Sequence, residues 1–360
     1  MKTWLIRIVS LSTAALVAVG APVRAQGVNA RVATGVVLAK ANQKPLGHAM
    51  VSLQPLGRQT FTDDQGRFAF VAIPPGSYRI RATHIGFAPA EMTVTVLPDS
   101  AATRVRIELE QVRLRLATVR VTAEGRCAFP GVPDPGNDRD FLVIFQQLQV
   151  NAQQYRLLAD SFPYAYSAQH ATYSVMTDSS IRERKVDTVL LRSDKPTWTY
   201  RAGQVLVSEK TQGLMHLPGL SDFASDEFVQ NHCFRYGGEV YTLEGPAVKI
   251  NFRAVETLRS PDVNGTIVLD ASSYQIRSAE LRLSQIPDGL SRYVSSVAAT
   301  TLFREVDPSV LVISRVHGVW SLFPPKLDII GTAETVDDQT LLTFGFVGKA
   351  PGRSVRNATP

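Results

Sequence analysis

The stretch Thr62–Gly86, TDDQGRFAFVAIPPGSYRIRATHIG, decides the fold of the front of this chain. Asp63 and Asp64 carry side chains that bond their own backbone, and Gly66 is free to take a positive φ, so the chain reverses there. Arg67-Phe68-Ala69-Phe70-Val71 then alternates, which puts Phe68 and Phe70 on one face of a half-buried strand. Pro74-Pro75-Gly76 ends that strand, because proline offers no ladder donor. Tyr78, Ile80 and Ala82 restart the alternation in a returning strand. Nothing in this pattern needs a catalytic side chain.

Further pieces lie on either side. Upstream stand Gly35-Val36-Val37 and Pro45-Leu46-Gly47-His48-Ala49-Met50-Val51-Ser52-Leu53; downstream stands Gly86-Phe87. Together they resemble the carboxypeptidase regulatory-like domain, found before TonB-dependent receptors and in peptidases as an accessory unit. The resemblance implies a prealbumin/Ig-like β-sandwich, a neighbour of the carbohydrate-binding-like folds, over residues 27–113. One departure is His48, which stands where the family has Gly directly before Ala.

Residues 1–25 read as a secretory signal peptide. Lys2 and Arg7 make a positive start, Ile8 to Val19 an apolar core, and Val23-Arg24-Ala25 a cleavage site after Ala25. No cysteine follows that core, so no lipid-anchor box is present. Removing Lys2, Arg7 and Arg24 lowers the formal charge from +6 to +3 (6 − 3), too weak an excess to point to nucleic acid. The expected location is the periplasm or the outer membrane.

Two cysteines, Cys127 and Cys233, are present. An even count in an exported chain favours a disulfide, here closing 106 residues (233 − 127). Two buried thiols or a Cys-His site are the alternatives. His232-Cys233 is the suggestive pair, but sequence neighbours project to opposite sides of a strand and seldom form a dyad.

Behind the sandwich, Val119–Ala123 reads as a strand-like exit, similar to the segment that leads such domains into TonB-dependent receptors. Residues 114–139 read as a linker, with Pro130, Pro133 and Pro135 among its glycines. The remaining chain, about 240 residues, is too short for a receptor barrel of some 22 strands. Phe141, Phe145, Leu148, Ala152 and Tyr155 recur at helical spacing and predict a helix over 140–159, capped by Asp138 or Asp140. A shorter helix is expected at 221–231. Alternating runs at 186–192, 197–208, 247–253, 279–283, 293–305, 310–322 and 326–346 predict an antiparallel meander over 140–350, before a tail at 351–360. The hairpin from Gly265 to Leu283 resembles LolA-type lipoprotein carriers, which implies a curved half-barrel and a groove able to hold an acyl chain.

The histidines are His48, His84, His170, His216, His232 and His317; none has Glu three residues on, as a zinc carboxypeptidase would use. No His-Glu-x-x-His and no Gly-x-Ser-x-Gly occurs. Asp63 and Asp64 are a weak cation signal that a turn role explains. Phe68, Phe70, Tyr78 and Phe87 could face a sugar, but their period of two argues for core. Trp198, Tyr200, Trp320 and Phe323 are the candidates for a ligand groove.

The fold class expected is therefore mainly β: the sandwich, then a larger antiparallel sheet with one main helix. The function expected is that of a non-catalytic exported module that binds or scaffolds envelope proteins or outer-membrane components, with no cofactor and no metal. A carrier of lipid and a carbohydrate-binding module are the alternatives, and a small outer-membrane barrel is the structural one.

Overall fold

A computed structural model describes residues 32–98, 102–113, 126–134, 136, 139–209, 212–307, 310–323, 331–348 and 350–351. The signal over 1–25, the strand-like exit at Val119–Ala123 and nearly all of the tail lie outside the described residues, as does Asp138.

The front of the chain is a sandwich of two sheets. β1 (Val32–Ala39), β4 (Arg67–Val71), β6 (Phe87–Ala88) and β8 (Ala102–Gln111) make one sheet in the order β4-β1-β8-β6. β2 (Met50–Gln54), β3 (Arg58–Phe61), β5 (Gly76–Thr83) and β7 (Ala90–Val96) make the other, in the order β3-β2-β5-β7. β1 runs parallel to β8 and antiparallel to β4. The alternating residues of the opening stretch meet between the sheets: Phe68, Phe70, Tyr78, Ile80 and Ala82 are buried in one core with Val37, Val51, Leu53 and Leu109. Burial of this apolar surface is what holds the two sheets together. The aromatic residues weighed for a sugar face are core, and Phe87 packs against that core edge-on to His84.

The turn before β4 works as its residues dictate. Asp63 Oδ1 accepts from the Gln65 and Arg67 N–H groups, and Oδ2 pairs with Arg67 Nε, all at 2.9 Å. Burial alone would raise the Asp63 carboxyl, but these hydrogen bonds hold it below its usual value. Gly66 has φ +70, and a Cβ there would sit 2.4 Å from the Val37 carbonyl oxygen. His48 has φ +57, so the position just before Ala49 is the left-handed one. A glycine takes that conformation freely; a histidine there costs about 1–2 kcal/mol.

The second unit is a nine-stranded open sheet in the order β10-β9-β19-β18-β17-β16-β15-β14-β13, antiparallel throughout. Its strands are β9 (Tyr164–Met176), β10 (Ile181–Arg192), β13 (His232–Thr242), β14 (Gly245–Ala254), β15 (Val263–Asp270), β16 (Ile276–Leu283), β17 (Val294–Asp307), β18 (Val310–Leu322) and β19 (Thr332–Phe346). The expected meander holds from β13 to β19, and there it breaks. β19 pairs on its far side with β9, so the final strand lies between the middle of the sheet and its first hairpin.

Two expectations need correction. Residues 197–208 are not a strand of this sheet: Thr197–Val205 have no strand structure, and Leu206–Glu209 (β11) pairs with Gln212–Met215 (β12) in a separate hairpin. Tyr200 is buried and Trp198 half-buried beside it in that irregular segment, which satisfies the apolar pattern without a ladder. The short helix at 221–231 divides into a 3-10 turn at Asp222–Ala224 and α2 (Asp226–Gln230), because Ser225 leaves helical geometry to cap the Phe228 N–H.

The main helix, α1 (Arg139–Ser161), packs Phe141, Ile144, Phe145 and Leu148 onto one face of the sheet, against Val248, Ile250, Phe252 and Ile267. One row of paired residues crosses all nine strands on this face: Tyr236, Ile250, Ile267, Ala279, Thr301, Val316, Gln339, His170 and Asp187. The row is apolar where α1 covers it and polar where α1 has passed. The edge strand β10 carries Arg182, Arg184 and Lys185 beside a bulge at Glu183, which blunts it against strand addition.

Candidate functional site

The two units are joined through buried amides on α1. Gln147 is fully buried; its Nε2 donates to the Phe87 carbonyl (3.1 Å) and its Oε1 accepts from the Gly86 N–H (2.7 Å). One turn on, Asn151 Nδ2 donates to the carbonyls of Gln147 (2.8 Å) and Tyr274 (2.9 Å), while Oδ1 accepts from the Ile276 N–H (3.1 Å). The Gly86-Phe87 corner of the sandwich, the helix and the turn from β15 to β16 are thereby held at one point. Val112, at the exit of the sandwich, enters the core of the second unit and bonds the Gly86 carbonyl (2.9 Å).

Beside this joint is a cleft of about 360 Å³. Its sandwich wall is the outer face of β2, β3 and β5, with Ser52, Gln54, Gln59, Arg81 and Thr83. Period-two alternation sends Val51, Leu53, Ile80 and Ala82 inward to the core and their neighbours outward into the cleft. The facing wall is the second half of α1, with Gln153, Arg156 and Asp160, together with Ser221 and Ser225 ahead of α2. The lining is mostly polar, and both units contribute to it.

Residues 32–110 match the family model for the carboxypeptidase regulatory-like domain. The sandwich is similar to that domain over nearly all of its strands. No curated protein matches the chain. Among solved structures, a DUF1329 family protein from Desulfovibrio piger shares 12% identity over 58% of this chain and 94% of its own, with a TM-score of 0.31. A putative outer membrane lipoprotein-sorting protein domain from Vibrio parahaemolyticus shares 11% over 55% of this chain and 94% of its own, at TM-score 0.28. The minor pilin GBS52 of Streptococcus agalactiae shares 20% over 25% of this chain, which spans 48% of that pilin, at TM-score 0.22.

The groove candidates lie behind the regulatory-like domain and divide between two clusters. Tyr200 is 2% exposed, donates to Asp262 Oδ2 (2.8 Å) and packs edge-on against Phe228. Trp198 stacks on His216 at 5.0 Å. Trp320 lies under the β11–β12 hairpin, where a Cβ on Gly213 would come within 2.4 Å of its ring. Phe323 is 53% exposed. Trp198, Tyr200 and Trp320 are packing residues of core clusters, and none of the four lines the cleft.

Cys127 and Cys233 are bonded to each other, with Cα atoms 5.5 Å apart. The bond pins the segment before α1 to the edge strand β13, where the Gly131 N–H also reaches the His232 carbonyl at 3.0 Å. His232 is buried with its ring nitrogens 2.8 Å and 2.9 Å from the carbonyls of Phe228 and Val263. Burial pulls its imidazole below the usual value, opposed by Asp262, whose Oδ1 is 3.7 Å away. A sulfur in a disulfide and an imidazole turned to backbone do not form a nucleophilic dyad.

At the polar end of the sheet, His170 on β9 stands between two carboxylates. Its Nδ1 is 3.0 Å from Asp187 on β10 and its Nε2 is 3.1 Å from Asp337 on β19. A neutral imidazole has one N–H to donate, so engaging both acids requires the protonated ring. The hydrogen bond to Asp337 raises its pKa, with Asp187 adding to the shift and modest desolvation opposing it. On the opposite face Asp338 collects His317 (2.6 Å) and the Tyr173 hydroxyl (3.1 Å); although burial raises its carboxyl, these partners and Arg315 hold it below the usual range.

This geometry fixes the sign of a pH effect. Because the native pKa of His170 lies above the unfolded value of about 6.5, its contribution is complete below that pH and fades as pH rises through the native value. His170→Gln is expected to lower the melting temperature at pH 5.5 and to have little effect at pH 8.5. Equal losses at both values would remove the charged bridge from consideration.

Proposed function

We propose that this protein is a non-catalytic binding and scaffolding module of the cell envelope, in which the regulatory-like domain and the nine-stranded sheet act as one body. The observation that carries this reading is the Gln147 joint. Its hydrogen bonds to Gly86 and Phe87 fix the regulatory-like domain against α1, and so fix the spacing of the cleft walls. A ligand or partner thus meets a preformed site and does not have to order a linker. The signal-like N-terminus and the Cys127–Cys233 bond support an oxidising, exported location.

An acyl-chain carrier has less support. The apolar part of the sheet face is filled by the helix's own Phe141, Ile144, Phe145 and Leu148, and its continuation carries His170, Asp187 and Asp337. No described helix is long and apolar enough to cross a membrane.

The reading is tested in cells crosslinked before lysis. Osmotic-shock fractions are expected to contain the oxidised protein, and repeated captures to return the same envelope components. A Gln147→Leu variant is expected to lose those components while still folding. A cytoplasmic protein with two reactive thiols, or captures that never repeat, would overturn the proposal.

A further inference from the structure

We propose that the cleft between the regulatory-like domain and α1 binds a hydroxyl-rich oxyanion, a sugar acid or sugar phosphate, with its anionic group held between Arg81 and Arg156. The inference rests on the binding-module reading and names the ligand of that module.

Thr83 gives the first observation. It lines the cleft, is 5% exposed, and its Oγ1 has no hydrogen-bond partner among the described residues. Buried hydroxyls are nearly always partnered, since leaving one unpaired costs about 1–3 kcal/mol. A ligand group entering the cleft supplies what the protein does not.

The two guanidinium groups give the second. Arg79, Arg81 and Thr83 share the outer face of β5. Arg79 is paired with Glu91 at 2.9 Å, but among the described residues Arg81 has no ion-pair partner, and neither does Arg156 on the opposite wall. Asp160 is the one acid in the lining, so the cleft carries two positive groups against one negative. Guanidinium forks match carboxylate and phosphate oxygens two at a time, and one from each unit would clasp the anion.

The rest of the lining argues for hydroxyls around that anion. Ser52 and Gln59 can each donate and accept, and Asp160 accepts only, which suits the mixed donors and acceptors of a sugar ring. A bare inorganic anion would leave these acceptors unused. The volume, about 360 Å³, falls within the range of small-molecule sites, roughly 300–1,000 Å³.

Calorimetric titration of the oxidised full-length mature protein tests this, with glucuronate, glucose and inorganic phosphate as probes. Saturable binding of glucuronate is expected, with glucose at least about tenfold weaker for want of a charge-assisted pair. Arg81→Gln and Arg156→Gln should each weaken glucuronate by about tenfold or more. Thr83→Val should weaken it too, with a melting temperature equal to or above that of the parent, since it removes an unpaired buried hydroxyl. Glucose bound as well as glucuronate, phosphate bound as tightly as glucuronate, unchanged affinity in all three variants, or no binding of any probe would each overturn the inference. The captured envelope components would persist in every one of those cases, so the module reading is tested separately.

Discussion

Replacing Cys127 and Cys233 together by alanine is expected to lower the stability of the second unit by on the order of 4–5 kcal/mol. The bond spans 106 residues, a segment that includes α1, β9, β10, the β11–β12 hairpin and α2. Without the bond, the unfolded chain regains the freedom of that whole loop, and folding has to remove it again. The native state loses a clamp as well, since the segment before α1 would be left on β13 by little more than the bond from Gly131 to His232. Denaturant titration of parent and variant reads the difference, and the parent treated with reductant should follow the variant. Coincident midpoints for oxidised and reduced parent would show that the bond adds nothing to stability.

Asn151→Leu should be nearly as costly, at about 2–5 kcal/mol, because it strands a buried carbonyl and a buried N–H of the β15–β16 turn. The Tyr274 carbonyl and the Ile276 N–H both end on the Asn151 side chain, in a part of the core that excludes water. Leucine has the same branched heavy-atom skeleton and opens no cavity, so the loss reports the missing hydrogen bonds. Hydrogen exchange at the Ile276 amide should accelerate. The Gly86 amide should follow if Asn151 also steadies Gln147, whose carbonyl it binds. A variant as stable as the parent, with both amides still protected, would refute this account of the joint.

Much of the regulatory-like domain was legible in its residues. Phe68, Phe70, Tyr78 and Ile80 declare their burial by alternation, and Gly66 and Asp63 declare their turn by chemistry that no other residue pair performs as easily. The second unit was legible strand by strand but not in its order. Local alternation places Val248, Ile250 and Phe252 on one face, yet nothing local tells β19 to pair with β9. β9 itself went unread, because its sequence YAYSAQHATYSVM has no clean period of two. Ala168 and Ala171 are buried on opposite faces, and His170 and Tyr173 are used for polar contacts.

The joint was hidden for a related reason. Gln147 and Asn151 are polar side chains whose partners lie far away in sequence, on the sandwich corner and the β15–β16 turn, so helical spacing alone does not show what they bond. The cleft was invisible in the same way, since Arg81 and Arg156 are 75 positions apart (156 − 81). Trp198, Tyr200 and Trp320 are large aromatic groups that pack in or against core clusters.

The placement of β19 has a consequence for the order in which the molecule assembles. Tyr164 of β9 and Phe346 of β19 are register partners separated by 182 positions (346 − 164). The β9–β10 hairpin emerges early, but it has no neighbour in the sheet until nearly all of the chain has followed it. A chain under synthesis therefore holds an open strand edge at β9 until β19 has emerged, and closing so distant a pair is slow. The final strand acts as a latch: a chain cut short before Thr332 keeps the β13–β18 meander but leaves β9 and β10 without a place in the sheet.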